Sequence, residues 1–396
     1  MANKKYILVL NAGSSSIKFN LYEFDSLISI AQGICERINV DGYFKIEYGS
    51  NQYKEEYNFP NHTIAIEFLL TKFKSLKIIE DFTNIILIGH RIVQGLEINE
   101  SKMIDGNVLN TIKEGIKLAP LHNKPEYDVI QIMNQQLPGV VNVAVFDTSF
   151  HSDIPKLNSY YAIPKDWVDK FKIKKYGFHG TSYKYILEQF KTITHKNNVN
   201  VIICHLGNGA SICCVKNDKS FDTSMGLTPN AGLIMGTRCG DIDANIIGYI
   251  SDQTNMSINE IIKMLNSESG LKGMCGSSDY RDINAKIENG NAYDFANKMF
   301  SKKVTNYIVQ YINDLENKVD AIIFTGGIGE NNHETRKSIL ENISIKKIVL
   351  NDQKNEMKFQ TSKEITNSES EIPVYVIRTN EELMIANDAK RIYKDN

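Results

Sequence analysis

Two arginines stand in settings that suit anion binding. Arg91 follows an apolar run in Gly89-His-Arg-Ile-Val93, and Arg238 sits between glycines in Gly236-Thr-Arg-Cys-Gly240. A planar guanidinium grips carboxylate or phosphoryl oxygens through paired hydrogen bonds, although either arginine could equally serve a structural salt bridge. His179, in Tyr176-Gly-Phe-His-Gly-Thr-Ser182, is placed to donate to a phosphoryl group, or to be an ordinary buried histidine. Asp147 closes a strongly apolar run, residues 140–146, which is a poor place for a carboxylate without a partner. Capping a helix or turn is its other reading.

Three glycine-bearing segments could hold phosphates or a nucleoside. In Asn11-Ala-Gly-Ser-Ser-Ser-Ile-Lys18, Gly13 permits a tight turn, hydroxyls and turn amides can donate, and Lys18 brings a positive charge. It lacks the Gly-Lys-Ser/Thr ending of a Walker loop, and a strand follows it rather than a helix. In His205-Leu-Gly-Asn-Gly-Ala-Ser211, Gly207 and Gly209 flank Asn208 at a hairpin tip. Either turn alone is weak, but two such hairpins around one ligand would cradle a polyphosphate. Thr325-Gly-Gly-Ile-Gly-Glu-Asn331 offers a flat glycine surface or simply a sharp strand-to-helix turn, and Asp279-Tyr-Arg281 is a further candidate for nucleoside contact.

These segments need elements to position them. Strand patterns fall at residues 6–10, 17–22, 85–88, 140–146, 201–204, 211–215 and 321–324. Helical patterns fall at 64–76, 127–136, 182–190, 258–267, 294–315 and 381–393. Alternating strands and helices predict an α/β fold, with ligands just past the strand ends. The hairpin grammar of the N-terminal segment returns near residue 201, which predicts one architectural unit used twice. Residues 352–370 are polar and read as a surface loop and helix edge.

Bulk composition narrows the classes. The chain has 396 residues, enough for two domains, with 42% hydrophobic and 23% charged residues. A formal net charge of -2 leaves no basic excess for a nucleic-acid backbone. The six cysteines form no Cys-x-x-Cys pair and the eight histidines no metal-like spacing, so reduced thiols are expected and no zinc site. No signal-peptide pattern or membrane-length apolar run is present, and a cytoplasmic protein is expected.

Taken in order, the motifs resemble the acetate kinase family from end to end. Matching segments are Leu10-Asn-Ala-Gly-Ser-Ser-Ser-Ile-Lys18, Gly89-His-Arg91, Ala119-Pro-Leu-His-Asn123, Phe146-Asp-Thr148, Tyr176-Gly-Phe-His-Gly-Thr-Ser182, His205-Leu-Gly-Asn-Gly209, Asp222-Thr-Ser-Met-Gly226, Gly236-Thr-Arg238, Ser278-Asp279, Phe324-Thr-Gly-Gly-Ile-Gly-Glu-Asn331 and Thr379-Asn-Glu-Glu382. The resemblance implies two duplicated actin-like (ribonuclease H-like) domains, residues 1–148 with 380–396 packing back on them, and residues 149–379. It also implies an interdomain active-site cleft, a homodimer, ATP and ADP as co-substrates, and Mg2+ with Mn2+ as a substitute. By motif, Asn11 and Glu381 would contact the metal. Lys18, His205, Leu206, Gly207, Asn208, Gly209, Asp279, Tyr280, Arg281, Gly327, Ile328, Gly329, Glu330 and Asn331 would bind the nucleotide. Arg91 would hold acetate, Asp147 would be the acid/base position, and His179 and Arg238 would stabilise the transition state. Val93, Leu121, Phe178 and Pro229 match the pocket for the methyl group.

The chain departs from the family pattern at Gln94, usually histidine, and Leu96, usually glycine. Asn230-Ala231 replaces Leu-Glu, and Lys124 and Arg378 stand where proline is common. None removes a group the chemistry requires. Acetate is already ionised at neutral pH, so the task is to cancel repulsion between two anions, and Asp147 is expected to orient Arg91, water or the metal rather than act as a base. Propionate remains an alternative acyl acceptor, because one methylene is worth only about 1–3 kcal/mol. Some relatives use pyrophosphate, and the Gly326–Asn331 segment favours a nucleotide. A sugar kinase of the same fold would need a polar pocket. A nucleotide-driven chaperone would need a peptide-binding domain for which no residues are left over.

Overall fold

The computed structural model describes residues 4–395. The chain divides into two compact units, one running to Phe150 and resuming at Asn380, the other spanning His151–Thr379.

In the first unit the strands are β1 (Tyr6–Gly13), β2 (Ser16–Glu23), β3 (Ser29–Glu36), β4 (Tyr43–Tyr48), β5 (Asn51–Glu56), β6 (Ile85–Ile92), β7 (Lys102–Met103) and β8 (Val141–Phe146). They form one sheet in the order β5-β4-β3-β2-β1-β6-β8-β7. β1 to β3 are antiparallel, while β6 runs parallel to β1 and β8 parallel to β6. The first hairpin is tighter than its composition suggests. Gly13 pairs with Ser16, so the turn is Ser14-Ser15 alone and Asn11 lies opposite Lys18.

Alternation along β1 builds two cores. Leu8 and Leu10 join Phe19, Leu21, Phe44 and Phe73 beneath the helices His62–Ser75 and Pro120–Gln136. Ile7 and Val9 join Leu87, Val143 and Val145 beneath the helix Glu381–Asp395, through its Ile385, Ala386 and Ala389. Central strands covered on both faces read as continuous apolar runs rather than alternating ones.

The second unit carries β9 (Val201–Leu206), β10 (Ala210–Lys216), β11 (Lys219–Thr223), β12 (Ala321–Thr325), β13 (Ser362–Glu364) and β14 (Val374–Ile377), ordered β11-β10-β9-β12-β14-β13. Again three antiparallel strands are followed by two parallel ones. The order β3-β2-β1-β6-β8 is thus repeated as β11-β10-β9-β12-β14. Each set also ends on a short antiparallel edge strand, β7 or β13. This is an α/β fold of two duplicated actin-like domains. No helix among the described residues is long and apolar enough to cross a membrane.

Candidate active site

Three neighbouring parallel strands bring the first unit's charged groups together. Asn11 lies near the end of β1, Arg91 near the end of β6, and Asp147 directly after β8, its amide donating to the Ile92 carbonyl at 2.8 Å. Arg91 Nε and Nη2 donate to the two Asp147 carboxylate oxygens at 3.3 and 2.6 Å, and Nη1 donates to Asn11 Oδ1 at 3.3 Å. Glu381, first residue of the C-terminal helix, places Oε2 3.6 Å from Arg91 Nε. Gly89 allows that approach, because a Cβ there would sit 2.8 Å from Ile385 Cγ2. A larger residue two positions before Arg91 would push the helix, and Glu381 with it, away from the strand.

Burial by itself disfavours the Arg91 cation, but Asp147 and Glu381 hold it firmly protonated. A guanidinium has five N–H groups. Asp147 and Asn11 take one on Nε and one on each terminal nitrogen. One N–H on each terminal nitrogen remains, the pair a carboxylate accepts. Burial raises the Glu381 carboxyl well above its usual range; Arg91 opposes this, whereas Asp147 and Glu382 add to it and Lys18 opposes it. The Asn11 amide oxygen and the Glu381 carboxylate both lie against Arg91, and each is a hard oxygen donor of the type a small divalent cation takes.

Val93 is buried beside Arg91, but Leu121, in the first turn of its helix, is 58% exposed. The departures at Gln94 and Leu96 compensate one another. Leu96 adopts a left-handed backbone with φ 52°, and Gln94 Oε1 accepts its amide at 2.8 Å, tying the turn that glycine would otherwise make freely.

In the second unit, His179 precedes the helix Gly180–Thr194 with a left-handed φ of 57°. Its Nδ1 lies 2.8 Å from Ser211 Oγ, and its ring stacks on His205 with centroids 4.3 Å apart. His205 in turn is fixed by Ser182 Oγ, 2.9 Å from its Nδ1. Arg238 Nη1 donates to the Pro229 carbonyl at 3.0 Å. His179 and Arg238 converge on Gly209: a Cβ there would lie 3.6 Å from His179 Nε2 and 3.7 Å from Arg238 Nη1. The missing side chain leaves a place flanked by two side-chain nitrogens. Phe178 is buried next to His179.

A cavity of about 740 Å³ lies beside this group, lined by Gly207, Asn208, Asp279, Tyr280, Arg281, Gly327, Ile328 and Asn331 among others. It also takes in Ser278, Asn284, Ala285, Asn332 and His333, which sequence reasoning did not propose as ligand contacts. Helical patterning at Tyr280–Ala285 would have pointed to Asn284 one turn beyond Tyr280. Gly207 and Gly327 face one another closely, and a Cβ on Gly327 would meet nothing within 4 Å, so this strip of backbone stays bare.

The other expected nucleotide residues lie outside the cavity lining or are engaged in contacts of their own. Leu206 is buried in the sheet, and neither His205, Gly209, Gly329 nor Glu330 lines the cavity. Glu330 Oε1 turns back to accept from the amides of Gly326 and Thr379, both at 3.0 Å, and so stitches the glycine turn. Asp279 and Arg281 pair with each other at the rim, which lowers the Asp279 carboxyl to about 2, chiefly through the Arg281 hydrogen bond. The Tyr280 phenol is buried against Asn297 and Thr335, and burial pushes it up. Lys18 belongs to the first unit, opposite Asn11.

A duplicated actin-like fold with a nucleotide-sized cavity and oriented arginines has the build of a kinase. The chain belongs to the acetokinase family, whose model matches residues 6–387. It is 47% identical over 392 residues to an acetate kinase of Mycoplasma pneumoniae, covering 98% of this chain and 99% of that one. A propionate kinase structure from Francisella tularensis is similar with TM-score 0.92 and 39% identity, and an acetate kinase structure from Porphyromonas gingivalis with TM-score 0.90 and 35% identity. In both cases 98% of this chain and 100% of the other are covered. Members of this family use ATP or ADP as a substrate, and the protein is a kinase.

Proposed function

We propose that this kinase transfers the γ-phosphoryl group of ATP directly to the carboxylate of acetate, giving acetyl phosphate and ADP, and runs in reverse. The observation that carries the reading is Arg91, held on one edge by Asp147 and with two N–H groups left to grip a second carboxylate. Family membership and relatives named as acetate kinases at 40–47% identity favour acetate over propionate.

In this reading acetate arrives ionised, so no base is needed. Asp147 holds the guanidinium plane instead of removing a proton. On the first unit Val93 gives the methyl group an apolar wall; on the second, Phe178 and Pro229, whose carbonyl anchors Arg238, are the apolar residues that motif offers for the same role. The nucleotide fills the cavity along the bare Gly207 and Gly327 backbone. His179 and Arg238 donate to the oxygens of the phosphoryl group in flight over Gly209, where fixed donors are worth most. Asn11 and Glu381 would hold Mg2+ or Mn2+, which when bound screens phosphate charge. Transfer is in line, with no phosphorylated histidine. With ATP as its co-substrate, the cytoplasm is its compartment.

We also assign a homodimer. The helix Asn245–Thr254 buries none of its residues and exposes Ile246 and Tyr249, and its neighbour Ile258–Ser267 exposes Ile258, Ile262 and Met264. Exposed apolar side chains on two neighbouring helices suit a second copy of the chain.

Trapping acyl phosphate with hydroxylamine tests the reading. With ATP, acetate should give the highest kcat/KM, propionate less, and glycerol none. A faster reaction with propionate, or no acyl hydroxamate at all, would contradict it.

A further inference from the structure

Glu126 is a buried carboxyl with no part in the proposed chemistry. It sits in the helix Pro120–Gln136, only 2% exposed, and its Oε2 accepts the Val93 amide at 3.1 Å. Its Oε1 is buried with no hydrogen-bond partner, and among the described residues no lysine or arginine forms a salt bridge with it. Three residues earlier, Asn123 clamps the next peptide: its Oδ1 accepts the Gln94 amide at 2.9 Å and its Nδ2 donates to the Gln94 carbonyl at 2.8 Å. One face of this helix therefore fixes the backbone that follows Arg91.

An ionised carboxylate cannot be kept in such a place on one amide bond, whereas a neutral acid can. The charged groups that face it are Arg91 on β6 and Asp147 after β8. Of the other elements packed on this helix, β1 offers no ionisable residue but Tyr6 at its far end. The helix Gly106–Gly115 meets this stretch through Gly115 and the Ile112 carbonyl, and His62–Ser75 meets it through Glu67 at Gln136. His90, also on β6, is occupied with Asn142.

We propose that Glu126 is a positioning residue that works as a neutral acid, anchoring the Val93 wall of the acyl pocket while leaving the charge of Arg91 to the substrate carboxylate. The proposal rests on the acetate-binding role given to Arg91 above. Burial raises this carboxyl to about 8, with Arg91 and the Val93 amide opposing the rise and Asp147 adding to it. Below that pH the acid is neutral. Above it a further negative charge competes with acetate for Arg91, so acetate binding weakens as pH rises.

The test is acetate KM and kcat at saturating ATP from pH 6.5 to 9.5, in the parent and in Glu126→Gln. Glutamine keeps an acceptor for the Val93 amide but cannot ionise. In the parent, KM should rise about tenfold between pH 7 and 9, because the competent fraction falls in that proportion. In the variant that rise should vanish. Every other ionisable group is common to both chains, so the difference between them isolates Glu126, and a purely structural role would not change the pH dependence of KM. An equal rise in both chains, or a flat KM in a parent that makes acyl phosphate, overturns the inference. A parent that makes no acyl phosphate overturns the functional reading instead. Should the variant not fold, 13C NMR of Glu126 in the parent decides: acetate should raise its titration midpoint, and an unmoved midpoint overturns the proposal.

Discussion

At the scale of residues, the first unit gathers more carboxyl groups around Arg91 than one guanidinium can pair with. Asp147, Glu381 and Glu126 all bear on one guanidinium. Such an excess has a pH signature in stability. Folded Glu126 keeps its proton up to about pH 8, while the unfolded chain releases it near 4.5. Between those values the unfolded state binds fewer protons, so stability falls as pH rises and levels off above about 8. Glu126→Gln should therefore gain stability relative to the parent as pH increases across that window, by a few kcal/mol at most. Chemical denaturation at pH 5 and pH 8 checks it, and a constant difference between the two chains would refute the burial argument. Arg91 and Asp147 were legible in the sequence because each interrupts or closes an apolar run. Glu126 was not, because within Asn123-Lys-Pro-Glu-Tyr it looks like a solvated helical residue and only the tertiary contact with Val93 buries it.

At the scale of elements, strands with cover on both faces announced themselves, while others did not. β1, β6, β8, β9 and β12 read as apolar runs. β4 alternates buried Phe44 and Ile46 with half-buried positions, β5 alternates half-buried with exposed ones, and with Lys45, Glu47, Lys54 and Glu55 among them neither reads as an apolar run. The helix Pro120–Gln136 begins seven residues before the start read from periodicity. Pro120 suits a first helical position, whereas Pro125 lies inside the helix and takes one amide out of its second turn, and the two prolines together hide the pattern. The polar stretch after residue 352 contains a short helix and the edge strand β13. Gly209 gives an element-scale prediction. Its φ is not left-handed and a methyl group would make ordinary contacts with His179 and Arg238, so Gly209→Ala should fold with an unchanged Tm. The methyl would nonetheless occupy the place proposed for the phosphoryl oxygens, and kcat should fall by roughly 10²-fold. Parental kcat in a folded Gly209→Ala protein would show that the phosphoryl group lies elsewhere.

At the scale of the whole molecule, duplication was visible in the two glycine-bearing hairpins, but its extent emerges only from strand order. Matching directions across five strands and an equivalent edge strand cannot be read from residues that differ in identity between the halves. The exposed faces of Asn245–Thr254 and Ile258–Ser267 were likewise invisible to periodicity, since an amphipathic helix looks the same whether its apolar side meets a core or a second chain. Tyr249→Asp should convert the homodimer to monomer in multi-angle light scattering with little change in circular dichroism. A dimer of unaltered mass would place the interface on another surface.

The central claim is that a guanidinium held by Asp147 takes the substrate carboxylate in a paired grip, and Arg91→Lys tests it most directly. Lysine preserves the positive charge that Asp147 and Glu381 require but cannot offer two parallel donors. Measured by acyl hydroxamate formation at saturating ATP, kcat/KM for acetate should drop on the order of 10²–10³-fold, in a protein that still binds nucleotide and melts as the parent does. Near-parental kcat/KM for acetate in that variant would contradict the account.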